Sequence, residues 1–296
     1  MTTQPRSWAA QHYKVLPAVA GALTLLATGL AMPDEPDKPT TSSAVLGAAR
    51  SHAENTRVRV MSEDTTRTAK LLDRPLIRYS DQPRKAYDST LWLWLDGDRP
   101  VAVQKVEAAL NRDTGERKWV FCFASLTDGP SVSAEWPFGF EFRSKESGLQ
   151  FQPVPGAPPP AESSRLRRSQ LRTISREFNA ELTLEPISPN REQMRMLPHP
   201  LYEYPEGDEQ PLRGGIIGFA SYGTNPSLLL VLEVRPDQDG TDRWHYSAAR
   251  LMNCGFAFRH REQVVSSREC DPWVPGAKHA TLTYFWIPRQ EKLEFE

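Results

Sequence analysis

Glu107 and Glu233 are the acidic groups whose placement first suggests chemistry, and Tyr79 and Tyr204 share their spacing. The tyrosines lie 125 residues apart and the glutamates 126. If the chain holds two related units about a two-fold axis, the two carboxylates could meet, sharing a proton or binding a cation. The plainer alternative is that each glutamate ends a strand in water. A second group is basic: Arg165, Arg167, Arg168, Arg172 and Arg176 crowd one stretch. On a helix they would face an anionic partner, such as phospholipid or a polyanion, or simply form a solvated face. Trp92 and Trp94 could stack on a carbohydrate or peptide, but Ile217 and Phe219 at the matching places favour core packing.

Other reactive groups are poorly placed for catalysis. Ser221 lies in Gly218-Phe219-Ala220-Ser221-Tyr222-Gly223, which has two residues between glycine and serine where a nucleophile elbow needs one. Cys122 sits between Phe121 and Phe123, as a buried, inert thiol would. Cys254 and Cys270 could close a disulfide loop of about 16 residues, worth about 3 kcal/mol, or remain two thiols. His12, His52, His199, His245, His260 and His279 form no HExxH, and no CxxC occurs, so no metal site is expected. Without a P-loop or GxGxxG there is no phosphate cradle, and no cofactor is expected.

The elements that would position these groups repeat. PLIRY at 75–79 matches PLYEY at 200–204, and Trp119, Ala124 and Leu126 match Trp244, Ala249 and Leu251. One extra residue in the second copy brings Gly97, Pro100 and Glu107 onto Gly223, Pro226 and Glu233. That makes nine identities over about fifty positions, where composition alone gives about three. Leu91–Leu95 alternates leucine with tryptophan, and Asp96-Gly97 is a hairpin signal leading to a strand at 101–106. Strands at 119–126, 216–220, 228–234 and 244–251 follow the same reading, and those over 71–79 and 194–204 are interrupted by proline. A helix from N-cap Ser164 is expected over 164–180, with Leu171, Ile174, Phe178 and Leu182 on its apolar stripe, and a weaker one over 44–54. The expected fold is therefore α+β: two tandem related repeats, each a helix packed on a four- to five-stranded antiparallel meander. Both faces of 91–95 are apolar, so the halves should pack together.

Residues 1–31 read as a secretory signal, with Arg6 and Lys14 before an apolar run from Val15 and small residues Gly29 and Ala31 at the cleavage site. An uncleaved membrane anchor is the alternative, and the only membrane contact foreseen. Residues 32–43 form a polar spacer, 44–150 the first repeat, 151–163 a proline-rich linker, and 164–296 the second repeat with an extension. The chain carries 36 Lys+Arg against 37 Asp+Glu, which argues against a nucleic-acid binder. Loss of Arg6 and Lys14 leaves it mildly acidic and extracytoplasmic, periplasmic or secreted.

The stretches RY–S–(S/T)LWLW–G–RPVAV, APPPAESSRLRRSQLRTISREFNAE and LPHPLYEY…GTNPSLLLVLE, with the signal, resemble uncharacterised secreted proteins of planctomycete bacteria. The resemblance spans about Arg74 to Arg250 and implies export and shared architecture, with no established activity, substrate or cofactor. The functional expectation is an exported, non-catalytic binding or scaffold protein. Its partner would be a protein or small molecule at the seam, near Tyr79, Glu107, Tyr204 and Glu233, or on Arg168 and Arg172. The alternative is an extracytoplasmic hydrolase with a cleft between the repeats.

Overall fold

A strand with leucines on one face and tryptophans on the other must be covered twice, and the fold answers that demand. The computed structural model describes residues 41–110, 117–183, 190–205, 213–270, 279–280 and 284–289. The signal and most of the spacer lie outside them. The first half runs α1 (Thr41–Glu54), β1 (Arg57–Met61), β2 (Thr66–Thr68), β3 (Lys70–Leu71), β4 (Ile77–Asp81) and β5 (Ala86–Asp96). It continues with β6 (Arg99–Leu110), β7 (Arg117–Ser125), β8 (Ser131–Trp136), β9 (Phe140–Arg143) and β10 (Gln152–Pro153). The second half runs α2 (Ser164–Ser175), β11 (Phe178–Thr183), β12 (Arg191–Met196), β13 (Tyr202–Glu203), β14 (Gly214–Ala220) and β15 (Leu228–Pro236). Then come β16 (Asp242–Arg250), β17 (Gly255–His260), β18 (Gln263–Arg268), β19 (His279–Ala280) and β20 (Tyr284–Arg289).

Among the described residues all strand pairings are antiparallel. In the first half β3 and β4 pair with β5, and β5, β6 and β7 form a meander. β1 pairs with β2 and β8, and β8 with β9. In the second half β12 and β13 pair with β14, and β14, β15 and β16 form a meander. β11 pairs with β12 and β17, and β17 with β18. The segment following each half crosses over: β10 pairs with β16, and β20 with β7. The sheets so formed hold seven, nine and four strands.

The expected α+β repeats, a helix on a four- to five-stranded meander, are overturned. The described chain is mostly β, with two helices and several sheets that include a half-barrel. The difference lies in the short strands β1, β2, β8 and β9, and β11, β17 and β18. Their runs, such as RVRVM and FEFR, are too brief to stand out beside the long apolar meander strands. The second helix also stops at Ser175, so Phe178 and Leu182 lie in β11. Spacings of three and four suggest one helical stripe. Phe178, Ala180 and Leu182 instead point inward at strand period. The N-cap is Ser163, whose Oγ accepts the Leu166 N–H, rather than Ser164.

Three cores result. Val45, Ala49 and Ala53 of α1 pack with Trp92, Trp94, Phe121 and Phe123. Leu171 and Ile174 of α2 pack with Ile217, Phe219, Leu230 and Trp244. The third core is the seam between halves, where Leu91, Leu93 and Val103 meet Ile216, Leu229 and Val231. Leu93 and Leu229 are fully buried there. Leu93→Ala should therefore cost about 2–5 kcal/mol through lost burial and a residual cavity. Urea denaturation checks this; a change below about 0.5 kcal/mol, the size of a surface substitution, would mean the seam contributes little.

Candidate functional site

Each half ties its meander with one polar bond. The Tyr79 hydroxyl donates to Glu107 Oε1 at 2.7 Å, and the Tyr204 hydroxyl donates to Glu233 Oε1 at 2.6 Å. The tyrosine leans across the neighbouring strand to a glutamate on the next one. The residue between is small in both halves: Ser89 opposite Tyr79, and Gly214 opposite Glu233. The four residues singled out by spacing thus form two tyrosine–glutamate pairs. Among the described residues no hydrogen bond joins the two carboxylates. Burial, then the nearby Glu233 charge, raises the Tyr204 phenol well above the usual tyrosine range.

The seam carries a polar cluster at each of these pairs. Arg99, from the first half, donates to Glu233 Oε2 at 3.2 Å, and Arg235 lies 3.7 Å from the same oxygen. At the other pair, Lys105 is 3% exposed and lies over the Tyr79 ring. Its Nζ donates to Asn225 Oδ1 at 2.7 Å. Asn225 Nδ2 in turn donates to Asp81 Oδ2 at 3.0 Å, and the Arg84 guanidinium donates to that same oxygen at 3.0 Å. Burial lowers the Lys105 amine below the ordinary lysine range, partly offset by the Glu107 charge. Gly223, at φ +53°, lets the β14–β15 turn approach this close: a Cβ there would stand 2.4 Å from the Ser80 carbonyl oxygen.

Spacing in the sequence does not single out Lys105, Asn225 and Asp81. The usable signal is a lysine in an apolar strand, at the place the sequence matches align with Val231.

An open groove of about 690 Å³ lies in the first half, where α1 ends beside β1, β8 and the bend from β2 to β3. Trp94 and Trp136 form part of its wall, with Glu54, Arg57, Lys70 and Glu135 at the rim. The Trp94 indole donates to Gln104, whose amide donates to Thr56 at the groove wall. Trp92 is buried in the helix core and bonds Thr90, so it offers no stacking face.

The remaining candidates are dispersed. Arg168 bonds Glu203 at 2.6 Å and Arg172 lies 3.9 Å from the same carboxylate, so part of the basic face is turned back onto the protein. Ser221 Oγ is buried and has no hydrogen-bond partner among the described residues, and the serine follows β14 rather than opening a helix. Among the described residues no three His, Cys, Asp or Glu side chains gather as a metal would need. His260 bonds Glu177, His245 bonds the Arg243 carbonyl, and His199 is exposed. His12 and the His279 side chain lie outside the described residues.

Of the two alternatives for Cys254 and Cys270, the structure has two thiols, and Cys122 is a thiol as well. Cys270 Sγ accepts the Gly255 N–H at 2.9 Å and donates to the Thr183 carbonyl at 3.1 Å, an arrangement that uses the thiol hydrogen.

Two outcomes follow. Thiol titration of the denatured, unreduced protein should count three free thiols, and a count of one would restore the bridge. Tyr204 holds its proton more tightly folded than unfolded, so its contribution to stability is complete below about pH 10 and is lost as pH rises from there toward the raised folded value. Denaturation midpoints measured across this range should fall more steeply in the wild type than in Tyr204→Phe; equal slopes would refute the linkage. Comparison of the chain with protein-family models, curated proteins and solved structures yields no match.

Proposed function

We propose that this is an exported, non-catalytic binding or scaffold protein built by duplication of a β unit. Support for the duplication comes from the strand pairings, which recur in the same order in both halves, and from the matched tyrosine–glutamate bonds. Equivalent hairpin positions also reach across the seam reciprocally. Arg99 of the first half meets Glu233 of the second, and Asn225 of the second meets Lys105 of the first. Such exchange is the pattern of a two-fold interface, here within one chain. Export rests on the apolar run with its basic start, and on the likeness to secreted planctomycete proteins. Among the described residues no helix is long and apolar enough to cross a membrane.

The observation that carries the non-catalytic reading is the filled seam. A hydrolase built between the repeats would need a cleft there, and leucine, valine and isoleucine occupy the space. The groove beside α1 offers a surface to a small-molecule or protein partner. Its volume falls within the range of ligand sites.

Cell fractionation with N-terminal sequencing tests export: a chain beginning at Met32 outside the cytoplasm is expected, and a cytoplasmic chain retaining Met1 refutes it. Turnover of ester, glycoside and phosphoester substrates tests the rest. No activity above that of Glu107→Gln and Glu233→Gln is expected. Activity that either substitution abolishes would establish the hydrolase instead.

A further inference from the structure

Lys105 and Asn225 stand on opposite sides of the seam, in different halves of the chain, with their functional groups in contact. The carboxamide is fixed at both ends: its oxygen faces Lys105 Nζ at 2.7 Å, and its nitrogen faces Asp81 Oδ2 at 3.0 Å. All three side chains are buried, with Asp81 and Asn225 at 0% and 3% exposure. Asp81 is itself held by the Arg84 guanidinium and by the Arg84 backbone N–H at 3.2 Å. An amine, a carboxamide carbon and a carboxylate thus sit together in a water-poor site. Such proximity replaces a collision with a positioned encounter.

We propose that Lys105 and Asn225 join in an intramolecular isopeptide bond, a covalent tie between the two halves. The Nζ lone pair attacks Asn225 Cγ and the carbonyl electron pair moves onto Oδ1. The Asp81 carboxylate, on the amide nitrogen, relays a proton from the attacking amine to Nδ2. The carbonyl re-forms, the Cγ–Nδ2 bond breaks and ammonia leaves. Amine and primary amide become secondary amide and ammonia, so the step balances without oxidant, reductant or cofactor.

Two further features suit this outcome. Burial favours the unprotonated lysine, the form that attacks. Pro226 follows Asn225 and has no backbone N–H, so the common cyclisation of asparagine onto its neighbour's nitrogen is closed here. The amide is therefore kept for the lysine. The repeat supplies no second site, since Val231 and Arg99 occupy the equivalent places.

Intact mass spectrometry of the purified full chain, before and after prolonged warm incubation, tests it. The expected mass is short by one ammonia. Digestion should release a branched peptide joining the segment with Lys105 to the segment with Asn225. Lys105→Met should keep the full mass, and Asp81→Asn, of equal size, should form the bond about a hundredfold more slowly. A wild-type chain of full mass after incubation overturns the proposal. So does ammonia loss without the branched peptide, which would place the loss elsewhere. The wild-type measurement decides alone if Lys105→Met fails to fold.

Discussion

The central strands of both meanders are apolar on both faces, and this governs the arrangement of everything around them. A sheet of that kind can be neither an outer wall nor a flat support for one helix. On one side of β5, Trp92 and Trp94 are met by α1 and by short strands that curl around it. On the other, Leu91 and Leu93 are met by the second meander. The second meander faces the same requirement and meets it with α2 and the first. Each half therefore depends on the other for a face of its own sheet.

Much of this was legible in the residues and some was not. The alternation at Leu91–Leu95 said that two cores were needed, because strand period assigns its side chains to opposite faces without ambiguity. The stripe at Leu171, Ile174, Phe178 and Leu182 was ambiguous. The last two positions satisfy strand period once Ala180 is included, and the helix end at Ser175 decides between them. The tyrosines and glutamates were visible through their shared displacement, but their partners were not. Sequence separation does not say how far a long side chain leans across a sheet, and the small residues Ser89 and Gly214 open the way for it.

The polar cluster of Lys105, Asn225 and Asp81 is hidden in the sequence for a related reason. Each came from a different turn or strand, and only the packed seam brings them into contact. A lone lysine in an apolar strand looks like a misplaced surface group until its partners are known. Once buried it must be paired, since a charge without partners in that core would be far costlier than the leucines around it are favourable. The seam is thus dry through most of its area and polar where the turns reach over.

The crossing of β20 onto β7 bears on the order in which the molecule can be completed. The edge of β7 lies in the first half, yet the strand that covers it is made only after the whole second half. Until then the first sheet presents an open row of backbone donors and acceptors, the kind of edge that recruits other strands. Synthesis from the amino terminus cannot close this sheet as it proceeds, and such long-range pairing is slow to form. The nascent chain stays incompletely folded until its last strands are made.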